Sequence, residues 1–468
     1  MHSIITCIKN PGSADSQYYA VGVHDDSVSA FEFRSSLLFA LGEMIEPGDP
    51  VTSSTAEGQL SERIHTAVHR TVNEMLSGKP HRVGIAQADK VTASMWARIN
   101  AAAALLLTKL IYCTPIVVRF HNDADGASGA LGLYKALCEI ASTRPSPFGY
   151  KHNITWVMQP SVSYDQHDAM ADTLIANNYL SQEKPLLVMI DFGTSPESNE
   201  GIKLIEKKFD IIWLDHHPVT EQFEGRELEH YINPWLSGGD SNYTAGFLAC
   251  MFAKAFADVP TSHLENASFI GDYSEYAGPD AEGKRLSILL DLITSDIEIA
   301  FGPASSNLTP SGIDKLLANR QKCDELVSYA QMRLSEVLAS ALTSVRVYKA
   351  DHASIYVLDY EGMRVENTKY PLPGRFSSKL LDKISELNER PCIVCVHLGR
   401  YISIRSAKEL GIVDVPAVIA ELKERHGNYI AAGGGHKHAA GIKLADDSQK
   451  SVILKEAVSL LKRQLASY

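Results

Sequence analysis

The sequence predicts an α/β protein: a parallel-sheet domain joined by a long helix to a smaller α/β domain, with an extension in front. Three observations predict it. From residue 115, apolar runs of β-formers alternate with helix-period segments: PIVVRF (115–120), ITWVMQ, PLLVMI (185–190) and FDIIWL (209–214). Fully apolar strands that alternate with helices belong to a parallel sheet covered on both faces. From about Ser311 to Leu342 the apolar residues keep a helical period behind the cap-like TPSG, which predicts a connector helix. A second α/β pattern starts near Ala353 with SIYVLDY and runs through SSKLLDKISEL, PCIVCVHL, YISIRS and VPAVIAELKERHG.

In chain order, residues 1–110 form an extension of unknown role: β-like runs (YYAVGV, SAFEF), then helical spacing from Ser61 to Tyr112. The parallel-sheet domain is expected over 111–305, the connector over 306–350 and the second domain over 351–468. The run AAAALLL at Ala101–Leu107 is soon followed by Lys109 and Pro115, so it reads as a buried helix rather than a span. MHSIITCIKNPGS lacks a basic region followed by an apolar core, so no secretion signal is expected and the expected location is cytoplasmic. Seven scattered cysteines fit a reducing compartment. Cys392 and Cys395 lie three apart in a β-run, where they face opposite sides, so they read as core rather than metal ligands.

A net charge of −12 argues against a protein that coats nucleic acid indiscriminately. The charge is unevenly spread. Residues 346–468 carry 19 Lys+Arg against 14 Asp+Glu, a net of +5, and the remainder nets −17. That asymmetry suits a body that holds cations and a tail that meets an anion.

Ligands of parallel sheets bind at the carboxyl ends of strands. Acidic turns follow three of the predicted strands: Asp123 and Asp125, then Asp191, then Asp215-His216-His217. Asp272 in FIGDYSE is a further candidate. Any one of these acids could be a helix cap. Brought together as ionised groups they repel, and two divalent cations would relieve that conflict.

HNDADG, IDFG, LDHHP and GDYSE stand in the order of the four motifs of the DHH phosphoesterase superfamily. GGGHKHAAG, preceded by SIRS, resembles the signature of its partner domain, DHHA1. The resemblance spans roughly 115–443 and is nearest to the RecJ-like single-strand exonucleases of archaeal type. It implies a two-manganese site, with magnesium as a substitute, built from Asp123, Asp125, Asp191, His216 and Asp272. Asp215 would bridge the ions, and His217 would sit by the scissile phosphate. Several members carry a ligating histidine where this chain has Arg119, so His121 is the candidate replacement. An oxygen-rich ligand set with one or two imidazoles suits manganese or magnesium better than a structural zinc site.

The resemblance implies hydrolysis of single-stranded DNA or RNA to nucleoside monophosphates, in DNA repair or replication. Arg405, Ser406, Gly433, Gly434, Gly435 and His436 would hold the substrate, with the glycine triplet forming a backbone nest for phosphate. Alternatives are a nano-RNase, a phosphodiesterase for short or cyclic dinucleotides, and a replication scaffold with little or no catalysis. GINS or other replication proteins are the implied protein partners.

Overall fold

The computed structural model describes residues 2–466 except 12, 14–15, 25–26, 35–43, 47–48, 51–53, 77–85, 145–147, 149–152, 220–228, 304, 306, 364–368 and 447. The chain divides into two compact units. Unit 1 is Met1–Ser287 with Asn307–Ala318, and unit 2 is Ile288–Ser306 with Asn319–Tyr468.

Unit 1 opens with an antiparallel sheet of β1 (His2–Lys9), β2 (Gln17–His24), β3 (Ser27–Arg34), β4 (Met44–Glu46) and β5 (Asp49–Pro50), in the order β3-β2-β1-β4-β5. The helices Ser54–Met75 and Ala86–Ile111 follow. The second contains the one stretch among the described residues, Ala88–Ile111, that is long and apolar enough to cross a membrane; half of its most apolar window is buried. It packs on the helix Ala245–Lys254 of the same unit.

The parallel sheet comprises β6 (Ile116–His121), β7 (Ile154–Gln159), β9 (Leu186–Ile190), β10 (Asp210–Leu214) and β11 (Tyr231–Ile232), ordered β11-β10-β9-β6-β7. Between them, β8 (Tyr179–Ser181) leaves this sheet and pairs antiparallel with β1. The first 110 residues are therefore built into unit 1 rather than standing apart from it. Along β9 every residue is buried, because helices cover both faces. Alternate residues Val117, Leu187, Met189 and Trp213 join the core under Gln166–Ala176 and Asn199–Ile205. Residues of the other parity face the helices Ala124–Thr143 and Ala245–Lys254.

Register decides where the strands stop. Phe120 pairs with Ile190, and Ile190 with Leu214, so β9 and β10 end in one row and β6 runs one residue beyond it, to His121. Adjacent parallel strands lie about 4.8 Å apart, so the residues just beyond that row are neighbours.

Unit 2 has a sheet ordered β12-β13-β14-β15-β17-β16, from Arg346–Lys349, Ser354–Asp359, Cys392–Leu398, Tyr401–Ser406, Ala439–Leu444 and Ile430–His436. Of its ladders, β13 with β14 is parallel and the others are antiparallel. Cys395 packs with Val418, Leu422 and Leu461 on one face, and Cys392 with Phe376 and Leu380 on the other. All seven cysteines are free thiols. The helix expected over 311–342 is two helices, Pro310–Leu317 and Arg320–Ser344. Asn319 ends the continuity: its side chain accepts from Lys322 N at 3.1 Å and caps the second helix.

Close helix packing in unit 1 depends on small residues. A Cβ on Gly129 would lie 2.9 Å from both Ala249 Cβ and Ile190 Cγ2. Gly129→Val is expected to lower unfolding free energy by about 1–3 kcal/mol through overpacking. Denaturant titration checks it: the midpoint should fall at an unchanged slope.

Candidate metal centre

Each acid comes to the sheet edge by a different local device. After β6, Asp123 caps the helix Ala124–Thr143, and its Oδ1 accepts Gly126 N at 3.0 Å. The turn needs glycine at 126, where a Cβ would sit 2.5 Å from His121 O. Asp125, one residue into the helix, turns inward and is fully buried. Its oxygens accept Ala245 N at 2.9 Å and Gly246 N at 2.8 Å, the exposed N–H groups that begin the helix Ala245–Lys254, and also the Ser268 hydroxyl. Gly246 is required here, because its Cβ would fall 2.8 Å from Asp125 Oδ1.

Asp191 follows β9 in the left-handed region at φ +70°, held by a 2.9 Å bond from its N–H to Leu214 O. A non-glycine residue there carries a conformational cost that the surrounding packing sustains. Asp215 continues β10, with its N–H on Ile232 O. Asp272 is the C-cap of the helix Ser262–Gly271.

The side chains meet in two groups that share one member. In the first, His121 Nδ1 lies 3.0 Å from Asp123 Oδ2 and 3.4 Å from Asp191 Oδ2. In the second, His216 Nε2 lies 3.1 Å from Asp272 Oδ2, 3.4 Å from Asp191 Oδ1 and 3.7 Å from Asp125 Oδ2. Asp191 thus shows one oxygen to each group, and its Oδ1 is buried without a well-formed hydrogen bond. Ligand atoms of His121, Asp123 and Asp191, and those of Asp125, His216 and Asp272, each lie within 4.8 Å of one another.

Asp215 is placed differently from the bridging role that the family resemblance implies. Its Oδ1 accepts His216 N at 2.8 Å, His217 N at 3.2 Å and His217 Nδ1 at 2.7 Å, and Thr194 Oγ1 bonds Oδ2 at 3.1 Å. Both oxygens are engaged. Ligand atoms of Asp215, Asp191 and His217 also lie within 4.8 Å of one another, and Asp191 is the residue that faces both groups above.

Burial and mutual repulsion shift the proton affinities of these groups in different directions. Burial, with Asp191 and Asp272 close by, pushes the Asp125 carboxyl well above the ordinary range. Burial also raises Asp191. For His121, burial works against charge, but Asp123 and Asp191 outweigh it and hold the imidazolium well above its usual value. For His216, burial is likewise outweighed, by Asp191 and Asp272. Asp215 moves the other way: burial opposes its charge, but His217 more than compensates and the carboxyl is lowered. The raised proton affinity of these groups reflects the same crowding of negative charge that a divalent ion would relieve. The buried oxygen-rich ligands, two imidazoles and the poorly satisfied Asp191 oxygen fit such ions.

Arg119 points elsewhere. Its Nε donates to both Asp172 oxygens at 2.9 and 2.8 Å, and Nη1 bonds Gln159 Oε1 at 2.7 Å. The histidine at the site is His121, two residues on, at the strand end. His216 has its tautomer set by Ser241 O, which accepts from Nδ1 at 2.8 Å and leaves Nε2 facing the acids. Ser241, Thr194, Gly246 and Ser268 escaped sequence reasoning; the stretch SNYTAGF was the one signal, and it covers only Ser241 and Gly246.

The candidate substrate residues lie in unit 2 and form a less unified set. Gly433, Gly434 and Gly435 belong to β16, an edge strand paired with β17, and not to a looped nest. Gly435 has φ +142°, and its Cβ would meet Ala440 Cα at 2.7 Å; Gly434 faces open space. Close pairing to β17 accounts for the first, since a side chain there has no room. Arg405 donates to Ser378 Oγ at 3.0 Å, Ile404 O at 3.0 Å and Ala440 O at 3.2 Å. These bonds hold the guanidinium against β17 and the helix Pro373–Leu387 of unit 2. Ser406, one residue on, points to the opposite face, where its buried hydroxyl pairs with His438 Nδ1 at 2.8 Å. His436 ends β16 beside the open Gly434 surface.

Residues 115–268 match the family model described as the DHH family, N-terminal domain. An uncharacterized protein of Methanocaldococcus jannaschii is 30% identical over 194 residues, which is 38% of this chain and 25% of the relative. The chain thus spans a quarter of that relative's length. Among solved structures, the DHH domain of a protein described as a member of a ribosomal-protein family aligns at TM-score 0.71 and 20% identity, over 88% of this chain and 99% of its own. RecJ from Thermus thermophilus in complex with Mn2+ aligns at TM-score 0.48 and 16% identity, over 85% of this chain and 61% of its own.

Raised proton affinity at His121, His216 and Asp125 sets protons in competition with a metal ion for these groups. Manganese affinity is therefore expected to rise with pH, with protons released on binding. Calorimetric titration in buffers of different ionisation enthalpy measures both; a pH-independent affinity would contradict this assignment.

Proposed function

Since residues 115–268 make this chain a member of the DHH superfamily, we propose that it is a divalent-metal-dependent phosphodiesterase, acting as a RecJ-like exonuclease on single-stranded DNA or RNA. The observation that carries this is Asp191, which presents one oxygen to each of two ligand groups at neighbouring strand ends. His121, Asp123 and Asp191 would hold one ion, and Asp125, Asp191, His216 and Asp272 the other. Bound manganese or magnesium supplies Lewis-acid polarisation of a phosphoryl oxygen and acidifies water.

The chain's own groups do the rest. The Ala245 and Gly246 N–H groups fix the Asp125 carboxylate so that it does not reorient. Asp215 orients His217 through Nδ1, which leaves Nε2 to donate a hydrogen bond to a phosphoryl oxygen or to protonate the leaving alkoxide. Such an Asp–His pair needs its carboxylate ionised and desolvated, as Asp215 is. In unit 2, the open surface at Gly434 with His436 at the strand end is the proposed contact for a substrate phosphate. A complete ligand set favours an enzyme over a scaffold, which has no use for buried, mutually repelling acids.

Two variants separate the roles of the aspartates. Asp191→Ala should lose bound manganese and activity together. Asp215→Asn should keep its manganese while kcat falls by about 10²–10⁴, the range of a lost acid–base contribution. Metal analysis beside single-turnover rates on an end-labelled strand reads both. Metal loss in Asp215→Asn would return the bridging role to that residue, and strong hydrolysis in excess chelator would rule out the metal-dependent reaction.

His436→Ala should weaken single-strand binding about ten- to hundredfold at unchanged manganese content, through one lost charge-assisted bond to phosphate. Oligonucleotide titration with metal analysis of the same sample decides it.

A further inference from the structure

Trp235 is placed in a way that the metal centre does not explain. It lies in the 3-10 turn Pro234–Ser237, whose N-cap Asn233 accepts Trp235 N at 3.0 Å and donates to His217 O at 3.0 Å. The indole Nε1 donates to His216 O at 3.1 Å and to Ser241 Oγ at 3.3 Å. Ser241 Oγ in turn donates to His216 O at 2.9 Å. The edge of the ring is therefore pinned to the main chain beside the two histidines. Yet Trp235 is 43% exposed, and Leu236 beside it 46%, whereas Trp96 and Trp213 are 7% and 1% exposed. A structural tryptophan would bury its rings and bond its N–H. Here the N–H is bonded and a large part of the ring is left to solvent.

We propose that Trp235 is a stacking platform for an unpaired nucleobase of the substrate, a role that rests on the phosphodiesterase reading above. The physical argument has three parts. A base offers a flat π-face of about the size of an indole, and stacking on an aromatic side chain is tolerant of base identity. A ring already immobilised at its edge loses little further freedom on binding. Its anchor is the carbonyl of His216, whose imidazole faces Asp125, Asp191 and Asp272, so a base stacked there belongs to a nucleotide close to the acids. Bases inside a duplex are already stacked on their neighbours and would have to be extruded first. The platform therefore selects unpaired strands without reading their sequence.

The test pairs two variants with two substrates: a short single strand, and a strand of equal length that is abasic at its terminal nucleotides. In manganese, Trp235→Ala should raise KM for the normal strand about ten- to hundredfold, the range of one lost base–aromatic stack. The penalty should vanish on the abasic strand. Trp235→Phe keeps a ring but loses the N–H donor, and should restore most of the affinity. Quenching of tryptophan fluorescence by the normal strand should be strong in the wild type and largely absent in Trp235→Phe. Far-ultraviolet circular dichroism and manganese content confirm that both variants are folded and loaded.

Equal KM for wild type and Trp235→Ala overturns the stacking role, and leaves the Trp235–Leu236 pair as a surface for a protein partner. A Trp235→Phe defect equal to that of Trp235→Ala, on both strands, overturns it in favour of positioning His216. If the wild type hydrolyses neither strand, the phosphodiesterase reading itself has failed; fluorescence quenching still reports whether a base stacks. If both strands are cleaved alike by all three proteins, the enzyme assignment survives and only the platform fails.

Discussion

The centre depends on one constraint: Phe120, Ile190 and Leu214 form one row across β6, β9 and β10, the last row that the three strands share. Parallel strands in register bring their carboxyl ends together, and the side chains just beyond that row leave the sheet side by side. Asp191 lies beyond the middle strand, between the turn that carries Asp123 and the one that carries Asp215. Its two oxygens face the two groups for that reason, and its left-handed backbone is the local cost of aiming them. A register slip of one residue in β9 would displace Ile190 from its close fit beside Gly129, so packing holds Asp191 in place.

Electrostatics then shapes everything around the row. Carboxylates buried this closely repel, and the protein answers with two kinds of partner. Backbone N–H groups at the start of Ala245–Lys254 hold Asp125. Imidazoles face Asp123, Asp191 and Asp272. The remaining repulsion raises the proton affinity of Asp125, His121 and His216. Asp215 differs from Asp125 and Asp191 in being held ionised by its own surroundings, through His217 and His216. That separation is chemically useful. Groups that need protons when metal is absent are the ones a cation can displace protons from, and the group that does not is free to orient a histidine.

The acids were legible in sequence because the pattern of apolar strand followed by acidic turn repeats, and a strand as apolar as IIWL has few reasons to stop on Asp-His-His. The second α/β segment, its basic charge and the burial of Cys392 and Cys395 on opposite faces were legible for similar reasons of period and composition. The break at Asn319 was less so, since its neighbours keep a helical period and only the cap interrupts the backbone. Arg405 and the glycine triplet suggested phosphate-binding chemistry by residue type. Type alone does not say where a guanidinium spends its donors, and here they go to Ser378 and to backbone carbonyls.

By itself the sequence determined which residues are acidic or imidazole, which strand ends carry them, and that acids gathered there would repel unless cations joined them. Those properties are local, set by residue type and by periods of two and 3.6. Tertiary structure decided which carboxylate faces both groups, that His121 lies against Asp123 and Asp191, and which nitrogen of His216 faces inward. Asp125 owes its orientation to Gly246 and Ser268, and Arg119 its direction to Asp172. Partners that distant in the chain leave no periodic trace, and a hydrogen bond's direction is fixed only when both ends are in place.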